Sequence, residues 1–173
     1  PDVLMFMFLY SEQFSKEAKR TNYEYYEPRC IHESSLSPSI HSILAAEIGK
    51  HEEAYQFFEF ATRLDLDNYN RNTREGLHTT SIAAAWMNIV YGFGGMRSDG
   101  AVLSLNPTLP ERWASYSFQI LNEGVLLRIV IDKKKVSLSA VSGGSTEVIV
   151  YGQKVIVNAA GVELSLGEGM MAN

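Results

Sequence analysis

One cysteine, Cys30, is all that this chain of 173 residues contains. That excludes an internal disulfide and the paired cysteine spacings of structural zinc sites, and it suits a reducing, cytoplasmic setting with Cys30 buried as a small apolar side chain. Long apolar runs are also missing. The opening PDVLMFMFLY carries Asp2, falls short of the ~20 residues that cross a bilayer and has no basic flank, so it reads as a core helix and no membrane association is expected. Positive charge is scarce: 15 Lys and Arg stand against 20 Asp and Glu, for a net charge of −5, and the one basic run is 133–135. Nothing there makes an electrostatic footprint for nucleic acid. The histidines, His32, His41, His51 and His78, lack the H-E-x-x-H spacing of a zinc helix, and nine residues separate the pair in HESSLSPSIH, so no metal site is expected. Glycine is frequent but not periodic, which argues against a solenoid repeat.

What is present is 46% apolar and 11% aromatic, enough for a substantial core. The order of residues divides it into a helical part, 1–96, and a β part, 97–173, near GFGGMRSDG. Val3, Leu4, Phe6, Met7 and Leu9 suit a buried helix. The charged stretch 12–26 carries Phe14, Ala18, Tyr25 and Tyr26 and is closed by Pro28. Ser37 and Pro38 form an N-cap and first-turn pair for a helix with Ile40, Ile43, Leu44 and Ile48 on one face, stopped by Gly49. Its antiparallel partner places Ala54, Phe57, Phe58 and Ala61 at helical spacing, and a further, nearly all-apolar helix covers 79–91. Beyond 115 the sequence alternates. Turn residues at 122–124, 132–134, 143–145, 152–153 and 159–161 cut it into five or six hairpin-linked antiparallel strands, half of a sandwich or jelly roll. The aromatics of the helical part exceed what one small bundle face needs, and a chain that opens on Pro1 inside an apolar run reads as a piece of something longer.

Two loops carry chemistry suited to an anion. In HESSLSP, the hydroxyls of Ser34, Ser35 and Ser37 and free backbone N–H groups stand at a helix entrance, whose partial positive charge favours negative ligands. In NTREGLHTTS, Gly76 permits close backbone approach and His78 precedes a helix that begins with Thr79, Thr80 and Ser81. Each loop taken alone is more simply read as a plain helix start, and it is the recurrence of the same chemistry in two loops that shifts the balance toward an anion site. Glu27, Glu33 and Glu75 are the nearby acids that could act as a general base.

Over these stretches the chain resembles the disaccharide phosphorylases that act on α-glucosides such as maltose, kojibiose, nigerose or trehalose. The likeness rests on YYEP at 25–28, on HESSLSPSIHSILA from His32, on EGLH at 75–78 and on NPTLPERW at 106–113, and runs over nearly the whole chain. It implies an α+β arrangement: the terminal helices of an (α/α)6 catalytic barrel, then an antiparallel, jelly-roll-like C-terminal domain. It also implies inverting phosphorolysis, in which phosphate attacks C1 while a glutamic acid protonates the leaving oxygen, giving β-glucose 1-phosphate and glucose. Carried over by motif, Ser34, Ser35, Gly76 and His78 bind phosphate and His32 supports the loop. The general acid, and a Lys-Gln pair that contacts sugar, are expected upstream of residue 1, so this stretch alone is expected to be inactive. Inorganic phosphate is the co-substrate and no other cofactor is implied; the whole enzyme is expected to be a cytoplasmic homodimer. Two other readings fit the residues: a hydrolase of the same fold with Glu33 or Glu75 as base, and a non-catalytic carbohydrate-binding or interaction module built on the β part.

Overall fold

The computed structural model describes residues 2–32, 35–68 and 72–166, the side chains of Asn72 and Glu75 excepted. They form two compact units, residues 1–92 and 93–173. The first holds five α-helices: α1 (Asp2–Leu9), α2 (Lys16–Tyr26), α3 (Ser37–Ile48), α4 (His51–Arg63) and α5 (Thr79–Met87), followed by a π-helical turn over Asn88–Phe93. Among the described residues, no helix is long and apolar enough to cross a membrane.

Helix α3 is the centre of this unit. Eleven of its residues are buried, because α1, α2, α4 and α5 all pack on it. A helix surrounded in this way must be apolar or small-polar all round. Ser37, Ser39, His41 and Ser42 are the buried polar residues, and Ser42 Oγ donates to the Ala54 carbonyl of α4 at 2.8 Å. Gly49 stops α3 with φ +88°, a left-handed C-cap that lets α4 return antiparallel. Two buried polar ties fasten α2 beneath it. Lys19, 2% exposed, donates to Ser11 Oγ at 2.5 Å and to Glu47 of α3, and the Tyr23 hydroxyl donates to Glu53 of α4 at 2.8 Å. Burial and the neighbouring carboxylate push the Tyr23 phenol far above its ordinary range.

Several expectations change here. Leu4, Met7 and Phe8 of α1 are buried, but Val3, Phe6 and Leu9 are exposed. The helix is apolar all round yet covered on one side only. On α2 the inward residues are Lys19 and Tyr23, while Tyr25 is 55% exposed, since a two-tyrosine apolar face and a buried ion pair look alike in sequence spacing. Leu36, not Ser37, occupies the N-cap of α3; Ser37 is already inside the helix, with its hydroxyl oxygen 3.2 Å from His32 Nδ1. The helix expected over 79–91 changes to π-helix after Met87, and α5 buries only Ser81, leaving Ile82 and Trp86 exposed. Cys30 is half-buried rather than buried.

The second unit is all β. One sheet has the order β2 (Ser115–Asn122), β3 (Val125–Asp132), β4 (Lys135–Ser142), β7 (Val162–Ser165), all antiparallel. The other has the order β1 (Ser104–Leu105), β5 (Thr146–Val150), β6 (Gln153–Val157), with β1 parallel to β5. Alternation governs which side chains enter the core: Leu127, Ile129 and Ile131 of β3, Val136 and Leu138 of β4, and Val148 and Val150 of β5 point inward. Two phenols tie the segment before β2 to this framework, the Tyr116 hydroxyl donating to the Thr108 carbonyl at 2.8 Å and the Tyr151 hydroxyl to the Pro107 carbonyl at 2.7 Å. Helices plus antiparallel strands make the chain α+β; the parallel pair β1 and β5 is the departure from an all-hairpin expectation.

Candidate functional site

Of the residues singled out for anion binding, His78 has the most developed surroundings. It is the N-cap of α5, and both its backbone N–H and its Nδ1 meet one carboxylate, Asp65, at 2.9 and 2.6 Å. A carboxylate only accepts, so Nδ1 carries the proton and donates. The free Nε2 is thereby turned away from Asp65, fixed in direction by a two-point clamp. Asp65 lies just past the C-terminus of α4 and His78 just before α5, so the clamp also closes the connection between the two helices. The hydrogen bonds from His78 hold the Asp65 carboxyl below the usual carboxylate range. Gly76, two residues earlier, has φ +93°, and a Cβ there would meet nothing within 4 Å. Its backbone conformation is one that a side chain would strain, and its surface is open to an approaching ligand.

The serine loop is organised by Ser37. His32 Nδ1 lies 3.2 Å from Ser37 Oγ, and His41 Nδ1 lies 2.7 Å from the Ser37 carbonyl, to which it donates. The two imidazoles stack edge to face at 4.7 Å, and Phe57 of α4 covers both. Burial lowers the His41 pKa to about 4, so the ring is neutral at physiological pH. His32 thus has the supporting position at the root of the loop. Ser35 is half-buried just before α3; Ser34, and with it Glu33, lies outside the described residues, as does the Glu75 side chain.

The described contacts group the predicted residues into two sets, His32 with Ser37 and His41, and His78 with Asp65. Asp65 was not among the residues the sequence suggested. The spacing argument also missed that His32 and His41, nine residues apart, converge with Cys30 so that one ligand atom from each lies within 4.8 Å of the others.

Two family models match the chain: "Glycosyl hydrolase family 65 central catalytic domain" over residues 1–87 and "Glycosyl hydrolase family 65, C-terminal domain" over residues 96–169. Maltose phosphorylase of Bacillus subtilis (strain 168) is 45% identical over 90% of this chain and 21% of its own length. The α,α-trehalose phosphorylase of Thermoanaerobacter brockii is 41% identical over 91% of the chain and 20% of its own length. Kojibiose phosphorylase of the same bacterium is 40% identical over 90% and 20%. A solved structure, provisionally described as a kojibiose phosphorylase from the human microbiome, superimposes with a TM-score of 0.89 at 53% identity, covering 95% of this chain and 24% of that one. The chain therefore spans about a fifth of the length of the curated relatives it matches.

Proposed function

The chain belongs to glycosyl hydrolase family 65, and from that premise we propose that it is part of a disaccharide phosphorylase, cleaving an α-linked glucose disaccharide with inorganic phosphate. A phosphate oxygen forms a bond to C1 from the face opposite the leaving oxygen as the glycosidic C–O bond breaks, and a glutamic acid upstream of residue 1 delivers its proton to the departing sugar. The anomeric centre inverts, giving β-glucose 1-phosphate and glucose. Phosphate occupies the place that an inverting hydrolase gives to water, so the chemistry calls for no further cofactor.

In this reading the serine loop (Ser34, Ser35), the Gly76 backbone and His78 hold the phosphate, with His32 behind them. The observation that carries it is the clamp on His78. An imidazole that donates Nδ1–H to a carboxylate and presents Nε2 at the mouth of a helix is a preorganised donor for an anion once protonated. Helices α1 to α5 are read as the last helices of an (α/α)6 barrel, and the exposed Phe6, Leu9, Ile82 and Trp86 support this because such faces call for a cover. The β unit is read as the jelly-roll-like domain. The whole enzyme is taken to be a cytoplasmic homodimer, the single cysteine being in keeping with a reducing compartment.

The test uses the full-length enzyme with maltose and kojibiose, two substrates that the relatives' names carry. Cleavage should require phosphate and release glucose 1-phosphate. His78→Ala should raise the KM for phosphate roughly tenfold to a hundredfold, the worth of one hydrogen bond to a charged group, with the disaccharide KM little changed. Ser35→Ala should act in the same direction and more weakly. Equal cleavage in phosphate-free buffer would overturn the reading in favour of a hydrolase.

A further inference from the structure

Behind the serine loop, the structure gathers Cys30, His32 and His41 into one cluster, and we propose that the Cys30 thiolate with the Nε2 atoms of His32 and His41 binds a zinc(II) ion there. The inference begins with two orphaned atoms. His41 is 0% exposed and commits its Nδ1–H to the Ser37 carbonyl, which leaves a lone pair on Nε2; that nitrogen has no hydrogen-bond partner. His32 places Nδ1 3.2 Å from Ser37 Oγ, a hydroxyl that can accept from it, and its Nε2 is buried without a hydrogen-bond partner. Buried polar atoms are nearly always satisfied, so two unmet imidazole nitrogens on rings that converge with Cys30 call for an occupant.

The occupant's chemistry follows from the donors. One sulfur and two imidazoles are the set that borderline-soft zinc prefers to the oxygen ligands of magnesium or calcium. Ligating histidines characteristically anchor the other ring nitrogen on a carbonyl or similar acceptor, and Ser37 supplies that second contact to both rings. A tetrahedral zinc with ordinary bond lengths separates its ligand atoms by about 3.3 to 3.6 Å, against 4.8 Å at most here, so a contraction of roughly 1 Å completes the site. Cys30, half-buried on the segment after Arg29, is the member placed to supply it.

A fourth ligand and an entry path are also present. Glu27 Oε1 lies 3.7 Å from His32 Nε2, too far for a hydrogen bond but within reach of an ion bound between them. Glu27 and His32 form one wall of a groove of about 690 Å³ that also presents Glu52 and Glu53, a negative lining that draws cations inward.

Cobalt(II), which takes zinc sites and reports thiolate ligation by a near-ultraviolet charge-transfer band, is the probe for the 173-residue chain. One equivalent should produce that band and tetrahedral visible bands, and one equivalent of zinc should remove them. Because Cys30 is the only cysteine, the band must originate there. Cys30→Ser should abolish it and weaken zinc binding by at least about a hundredfold, more than outer contacts usually cost. Zinc should raise the unfolding midpoint of the native chain but not of Cys30→Ser. Since His41→Gln alters a buried position, the partly exposed His32→Gln provides an independent arm, and it too should weaken the band. No band with the native chain, or a band of undiminished affinity in both histidine variants, would overturn the proposal.

Discussion

At the scale of single residues, the contrast between His78 and His41 shows how surroundings divide the work of one side-chain type. His78 is clamped by Asp65 at the surface, so removing the clamp should matter to ligand affinity. In the full-length enzyme, Asp65→Ala should raise the phosphate KM in the direction of His78→Ala with little change in the disaccharide KM, and Asp65→Glu should restore part of the loss; phosphate-saturation kinetics would read both. His41 has the opposite situation, facing Tyr23, His32 and Phe57 with Glu53 beyond. Its pKa falls from 6.5 in the unfolded chain to about 4 in the fold, so the unfolded state binds the extra proton between those values. Stability contributed by the neutral ring is complete above pH 6.5 and is lost as pH falls toward 4, with a total on the order of 3 kcal/mol. Urea unfolding of the metal-free chain across this window should show stability falling with pH, and His41→Gln should flatten the slope. The histidines and the Gly76 loop were legible in the sequence as polar groups at helix entrances. Asp65 was not, because thirteen residues separate it from His78 and no local pattern links them.

At the scale of elements, the strands were the most legible part. Alternation of β-branched residues and turn residues set β2 to β7 within a residue or so, since a sheet with one buried face imposes period two. Strand β1 was missed because two residues carry no alternation, and its parallel pairing to β5 depends on a distant part of the chain. Helix α1 was misjudged for a related reason: composition reports that a helix is apolar, not how many of its faces find a partner. Turns show where local and non-local constraints meet. Gly143 and Gly144 both have φ above +90°, yet a Cβ on Gly143 would fall 2.2 Å from the Gly124 carbonyl oxygen, whereas one on Gly144 meets nothing within 4 Å. The turn after β4 is pressed against the turn between β2 and β3. Gly144→Ala should therefore cost about 1 kcal/mol in backbone strain alone, and Gly143→Ala about 3 kcal/mol or more, because a carbonyl cannot move aside without shifting its hairpin. Urea unfolding of the two variants would check this; equal costs would mean that the turns are not in contact in solution.

At the scale of the whole molecule, the aromatics that the sequence counts as surplus divide: Tyr25 is exposed, Tyr26, Phe57, Phe58 and Phe60 are half-buried, and the larger uncovered apolar surface lies on α1 and α5. Phe6 meets Tyr10 at a tilt and Phe14 edge to face, with ring centroids 4.9 and 5.6 Å apart, and Phe6 and Tyr10 are about half exposed, so the outer side of α1 carries a continuous aromatic patch. On α5, Ile82 and Trp86 are one helical turn apart and 53% and 50% exposed. Scattered apolar side chains on a surface are ordinary, but clustered ones of this size mark a face that associates. The buried polar ties of Lys19 and Tyr23 and the enclosed α3 allow the helical unit to hold its own core, so association should come from these outer faces rather than from unfolding. The 173-residue chain should then self-associate as its concentration rises. Sedimentation velocity should show the weight-average coefficient climbing, and the double variant Phe6→Lys, Trp86→Lys should suppress the rise while leaving the circular dichroism spectrum unchanged, because both side chains lie outside the core. A chain that stayed monomeric at every concentration, or a double variant that associated as strongly as the native sequence, would show that these faces are not what the rest of a barrel would cover.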